Sequence, residues 1–300
     1  MPKKTCLRLA ASSPAVASLV KKVRFFFLIS RINLTSMDVY DAVATRVTTF
    51  IATLPKISLF IFILSLVHGM GEATTEFHFT NILLVSSLLS LIIGTVVGLV
   101  QRRIKRLLAY SSISHVGFML LALAVGSQES TQAFLFYLTQ YSLTNINVFF
   151  ILVAIGYTLA LSANDLNLLD RKNSPIQLIS QLSGYVHVNP LLAISLGIAM
   201  FSLIGVPPLV GFFAKQQVLS AALSGGHYFL VLVGILTSVV GAVYYLHIVK
   251  VIFFNKPTEA GEVGTDNSLN ISNTYLSSSL SITISVLTLT ILLFMLSPQE

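Results

Sequence analysis

Three hundred residues with 55% hydrophobic and only 10% charged side chains fall far short of the roughly one-quarter charged fraction of a water-soluble domain, so the chain reads as an integral membrane protein. The net charge of +7 does not indicate nucleic acid, because the basic residues sit in a leader and in short loops between apolar stretches, as membrane orientation requires. One cysteine, Cys6, excludes disulfide frameworks, iron–sulfur clusters and cysteine-ligated zinc, and G-x-G-x-x-G and G-x-x-x-x-G-K are both missing, so the usual nucleotide cradles are too.

The first element is a leader over 1–37, with seven Lys/Arg and no acid before Asp38. It resembles a mitochondrial targeting segment, the alternative being a basic extension retained on the matrix face. Apolar runs long enough to cross a bilayer follow near 43–68, 79–101, 103–125, 132–161, 190–224, 228–254 and 275–297. The expected architecture is an all-α polytopic membrane domain over 38–300 with about seven spans. The run at 190–224 is too long for one straight helix and contains Pro207-Pro208, so it is read as two half-helices in sequence. A polar connection over 257–274 precedes the last span. The sequons at Asn33 and Asn270 read as accidental, since both fall on the inside face.

Alternating these spans puts the leader and the segments 102–103, 162–189 and 255–274 on one side. That side carries the loop Lys and Arg residues, whereas the other carries Glu72, Glu76, Glu129 and Glu300 and no basic residue. The positive-inside rule assigns the basic side to the matrix or cytoplasm. On the mitochondrial reading of the leader, the chain is expected in the inner membrane with the N-terminus in the matrix and Glu300 in the intermembrane space.

Two basic residues lie at depth, Lys56 and Lys215. A lysine at mid-span costs about 2.5–3.5 kcal/mol on insertion scales and persists where water or a partner receives it. Snorkelling is the alternative, but both lie far from a span start. Each has a helix breaker nearby. Pro55 precedes Lys56 and bends its span, and Pro207 and Pro208 free the carbonyls of Leu203 and Ile204 shortly before Lys215. Broken helices at membrane depth line wet cavities and ion pathways. His115, with Ser111, Ser112 and Ser114 close by, is a candidate to pass a proton between the lysines, or else a helix–helix contact. The stretch Tyr141, Ser142, Thr144 and Asn145 reads as relay or interhelical glue. Gly94 and Gly98, and Gly234 and Gly241, read as close packing. All eleven acids lie in loops, tails or helix ends, so no carboxylate of this chain is expected beside Lys56, and the polar face around Thr48, Thr49, Thr53 and Lys56 is expected to need a partner.

Four motifs now carry a resemblance: D-V-Y at 38–40, V-T-T-F-I-A-T-L-P-K-I at 47–57, I-K-R-L-L-A-Y-S-S-I-S-H-V-G at 104–117 and G-V-P-P-L-V-G-F-F-A-K at 205–215. In this order they resemble the subunit 2 family of respiratory complex I NADH dehydrogenase, a branch of the antiporter-like proton-pumping membrane proteins. The resemblance implies that 79–254 is the second five-helix repeat of that fold and that 275–297 is its final helix. It implies a proton-translocation relay of Lys56, Lys105, His115 and Lys215. It also places the redox groups (NADH, FMN, iron–sulfur clusters and ubiquinone) in other subunits, with no cofactor or metal in this chain. Residues 1–37 do not match the first half of the family's fold, so the expected protein is a split C-terminal half whose partners are other complex I membrane subunits. One of these would be a separate chain carrying the N-terminal half. A membrane subunit of a multi-chain sodium/proton antiporter and a non-pumping membrane anchor are the alternatives.

Overall fold

The computed structural model describes residues 39–70, 76–162, 176–255 and 278–294. The leader, the 257–274 connection, both sequons and Glu300 lie outside the described residues. A helical turn at 39–42 leads into α1 (Thr45–Met70), followed by α2 (Glu76–Leu99), α3 (Ile104–Val125) and α4 (Gln128–Ser162). Two short 3-10 turns, Ile179–Leu182 and Tyr185–His187, precede α5 (Pro190–Ile204), α6 (Val210–Ser224), α7 (Tyr228–Phe254) and α8 (Ser278–Leu293). Five helices, α1 to α4 and α7, are long and apolar enough to cross a membrane, and α5 and α8 are shorter apolar helices. The described residues contain no strand, only an isolated bridge between Arg103 and Leu178. This is the all-α multi-pass membrane fold expected from the sequence, with the 190–224 run divided into α5 and α6.

The hub is α3, buried along nearly its whole length and packed by α2, α4, α6 and α7. Its closest neighbour is α2, and glycine makes that approach possible. A Cβ on Gly94 would come within 2.5 Å of the Ser114 backbone nitrogen, and one on Gly117 within 2.8 Å of Leu91. Ser87 Oγ donates to the Gly117 carbonyl at 2.8 Å, which satisfies a hydroxyl where no water reaches. Gly98 faces the Tyr244 ring on α7. On the outside, α1 packs against α4, and α8 packs against α4 and α5.

The bundle has two chemically different ends. At one, Asp41 forms ion pairs with Arg103 and Arg106, and Lys105 Nζ donates to the Val43 carbonyl at 2.8 Å. Backbone bonds from Ile104 to Gln177, from Ile179 to Arg102 and from Gly184 to Val251 tie the 3-10 segment to this same end. At the other, Gly225 lies beside Val125, and Glu129 stands in the first turn of α4.

One expectation is corrected here. The threonine face of α1 is not a bare polar surface. Thr48, Thr49 and Thr53 are buried, and their hydroxyls donate to the carbonyls of Ala44, Thr45 and Thr49 at 2.9–3.1 Å within their own helix and its lead-in. A threonine hydroxyl satisfied one turn back costs little in an apolar setting, so this face packs inward. The outward face of α1 is apolar instead, with Phe50, Leu54, Ile61 and Phe62 exposed.

Candidate functional site

The break between α5 and α6 is built from local rules. Asn189 caps α5, its side chain accepting from the Leu192 N–H at 3.3 Å, and Pro190 takes the first helical position, where its lost donor is harmless. The helix ends at Gly205, whose φ of 86° suits glycine, with its N–H on the carbonyls of Phe201 and Ser202. The residues four positions beyond Leu203 and Ile204 are Pro207 and Pro208, joined by a cis peptide bond, so neither of those carbonyls receives a helical hydrogen bond. Lys215 Nζ takes both, at 3.0 Å to Leu203 O and 2.7 Å to Ile204 O. Two glycines make the room. A Cβ on Gly211 would overlap the Ser202 carbonyl, and one on Gly205 would stand 3.1 Å from Lys215 Cδ. Gln140 of α4 donates to Ser202 Oγ at 3.3 Å and braces the crossing.

Lys56 is held differently. It lies just after Pro55, inside a helix that continues through the proline. It is half-buried, donates to Tyr141 Oη at 3.4 Å and sits 5.6 and 5.7 Å from the ring centroids of Tyr40 and Tyr141, within cation–π range.

His115 lies between the two lysines and is buried. Its Nδ1 is 2.7 Å from Tyr137 Oη and its Nε2 3.2 Å from Tyr245 Oη. A neutral imidazole so placed donates to one phenol and accepts from the other. The Tyr141 ring lies 5.0 Å from the imidazole, centre to centre. A line of side chains therefore runs from Lys56 through Tyr141 to His115 and Tyr137, hydrogen-bonded at its two ends and joined at Tyr141–His115 by ring contact alone. Phe118 stacks on Tyr137 at 6.0 Å, and Lys215 Nζ stands 5.7 Å from the Phe118 ring, so an aromatic ring separates the line from the second lysine. Ser111, Ser112 and Ser114 face the hydroxyls of Tyr245, Tyr141 and Tyr244, which gives the S-S-I-S-H run a structural partner for each serine.

Lys105 stands apart. Ten residues before His115 on α3, it lies about 15 Å away along the axis, at the basic end beside Val43. Of the polar stretch on α4, Ser142 and Thr144 bond back to their own helix. Asn145 Nδ2 and both amide atoms of the fully buried Asn147 have no protein hydrogen-bond partner among the described residues, the kind of group that water satisfies in membrane interiors. At the end opposite Asp41, a polar cavity of about 470 Å³ opens between α4 and α6, lined by Glu129, Gln132, Gln216, Gln217 and Ser220.

Sequence reasoning missed Tyr40, Tyr137, Tyr244, Tyr245, Phe118 and Gln140. One signal was present: Tyr137 and Tyr141 are spaced i, i+4 and share a helix face.

Fold and site together define a polytopic membrane protein whose helices bury titratable side chains beside a broken helix. Residues 28–241 match the family model described as NADH:quinone oxidoreductase/Mrp antiporter, transmembrane, and the chain belongs to that family. It is 53% identical over 276 residues to NADH-ubiquinone oxidoreductase chain 2 of Rhizopus oryzae, a match covering 87% of this chain and 51% of that protein. It is 38% identical over 238 residues to the chain 2 protein of Oenothera berteroana, covering 78% and 45%. Among solved structures it superposes on a chain of respiratory complex I from Thermus thermophilus with a TM-score of 0.65 and 28% identity, covering 87% of this chain and 52% of that one. The chain spans about half the length of the curated relatives it matches.

Proposed function

We propose that this chain is the C-terminal half of an antiporter-like subunit 2 in NADH:ubiquinone oxidoreductase of the mitochondrial inner membrane, and that it moves protons through the Lys56–Tyr141–His115–Tyr137–Lys215 line. The observation that carries the reading is Lys215 on the freed carbonyls of Leu203 and Ile204. Two carbonyl dipoles hold an ammonium without a carboxylate, so the proton is bound by geometry that a small helix movement alters. The phenols and imidazole between the lysines each offer a donor and an acceptor, which is what stepwise proton transfer needs. The unpartnered amides of Asn145 and Asn147 are where water would extend the line, and the Phe118 gap needs water to cross it. The polar cavity at Glu129 and Gln216 is the mouth facing the intermembrane space. Lys105 belongs to the opposite, matrix-side entrance. Residues 79–254 act as one repeat. Electron transfer from NADH to ubiquinone takes place in other subunits, and this chain supplies proton movement alone.

The test is proton translocation per NADH oxidised in vesicles reconstituted with the assembled complex. Lys215→Met is expected to assemble and to lose translocation coupled to this subunit; an assembled variant pumping at the wild-type ratio refutes the assignment. Protease protection in mitoplasts tests the orientation: cleavage within 162–189 from outside overturns it. Mass spectrometry of the complex in mild detergent tests whether the first half of the fold comes from a separate polypeptide, which is expected to be recovered in equal amount.

A further inference from the structure

We propose that the cleft between α1, α4 and α8 at the basic end is a binding site for an anionic phospholipid, with its phosphate on Arg46 and one acyl chain running inward. The cleft has a volume of about 380 Å³ and is lined by Arg46, Thr49, Phe150, Val153, Ala154, Tyr157 and Leu280. Its chemistry is graded with depth. Arg46, the second residue of α1, and Tyr157, half-exposed near the end of α4, give the rim a guanidinium and a phenol. Thr49 is one turn deeper, and its hydroxyl is already spent on the Thr45 carbonyl. Beyond it, Phe150 and Val153 offer only carbon, and Ala154 and Leu280 add apolar walls nearer the rim. Phe150 lies seven residues from Tyr157, about 10 Å along the helix, so the apolar part runs in the direction of an acyl chain hung from the interface.

Charge complementarity selects the occupant. Arg103 and Arg106 share Asp41 and Lys105 is bound to Val43, whereas Arg46 is exposed and makes no ion pair among the described residues. A guanidinium at the rim of an apolar slot matches a phosphodiester, which it binds bidentately, and basic pockets between membrane helices on the cytoplasmic or matrix side take anionic head groups. An acyl chain carries no polar atom and suits the apolar lining below the rim.

The experiment uses the full chain in its assembled complex, reconstituted in phosphatidylcholine vesicles doped with a phosphatidylglycerol that carries a diazirine on one acyl chain. After irradiation, the labelled peptides are mapped by mass spectrometry. Label is expected on the peptides containing Phe150 to Tyr157 and Leu280. It should fall about five-fold in Arg46→Gln, the factor one basic residue contributes to anionic-lipid attraction, and survive in Arg46→Lys. Arg102→Gln, which alters an exposed cation of the same end outside the cleft, should leave it unchanged. Val153→Trp fills the slot while keeping the guanidinium and should abolish the label. Equal labelling by the phosphatidylcholine analogue, indifference to Arg46→Gln, or crosslinks from 45–49 to another polypeptide in place of lipid would each overturn the proposal.

Discussion

Lys56 and Lys215 both follow prolines in apolar helices, yet the protein accommodates them in opposite ways. At Lys215 the backbone gives way: the helix stops, turns through Gly205 and restarts, and two carbonyls without helical partners receive the ammonium. At Lys56 the helix runs on through Pro55, and side chains do the accommodating, one phenol oxygen at 3.4 Å and two aromatic faces. Backbone carbonyls are strong, fixed dipoles, whereas a phenol and two rings are weaker and movable. The comparison therefore assigns Lys215 the tighter hold on its proton carrier and Lys56 the looser one.

The largest expected effect is at the tight site. Lys215→Met should cut coupled proton translocation on the order of 10²-fold, the worth of a positioned proton-transfer group, with native-gel assembly unchanged; a loss smaller than that of Lys56→Met reverses the ranking. Gly211→Ala attacks the same site through the backbone. Its Cβ has no room beside the Ser202 carbonyl, and forcing α6 off α5 should cost about 1–3 kcal/mol, read as a lowered Tm of the detergent-solubilised complex. Gly234→Ala, whose nearest neighbours are the movable ends of Leu219 and Phe118, should cost much less. At the loose site, Lys56→Met should reduce translocation about ten-fold, the equivalent of one charge-assisted hydrogen bond of about 1.5 kcal/mol. The smallest change is Tyr141→Phe, which keeps the cation–π face and removes the hydroxyl that accepts from Lys56. A loss of about 1 kcal/mol, near five-fold in rate, is expected, and if Tyr141→Phe matches Lys56→Met, the hydroxyl rather than the ring holds the lysine.

The two lysines were also unequally legible in the sequence. The proline pair states which carbonyls lose their donors, because a helical bond spans four residues, so Leu203 and Ile204 could be named as free before any packing was known. The clients of Lys56 could not. Tyr40 is 16 residues away and Tyr141 is 85, and nothing local marks a tyrosine as a proton acceptor rather than an aromatic filler. His115 was legible as a buried polar group, but its partner Tyr245 lies 130 residues on and meets it only through the packing of α7 against α3. The threonines of α1 misled for the opposite reason. A hydroxyl counts as polar in a sequence, yet one bonded to its own helix behaves in packing as an apolar group. Lys105 shared a motif with His115 and was grouped with it, although the rise of a helix alone sets them about 15 Å apart.

The Asp41 clasp bears on how movement travels through the molecule. The carboxylate grips Arg103 and Arg106 at the head of α3, and Lys105 grips the strand of chain just before α1. The helix that carries Lys56 and the helix that carries His115 are thus tied together at one end by charge, in addition to the packing that holds α3 along its length. A pull on the start of α1 is therefore delivered to the head of α3, about 15 Å along that helix from His115. The separation of lysine and imidazole is thus set from the charged end as well as by the Tyr141 ring that lies between them.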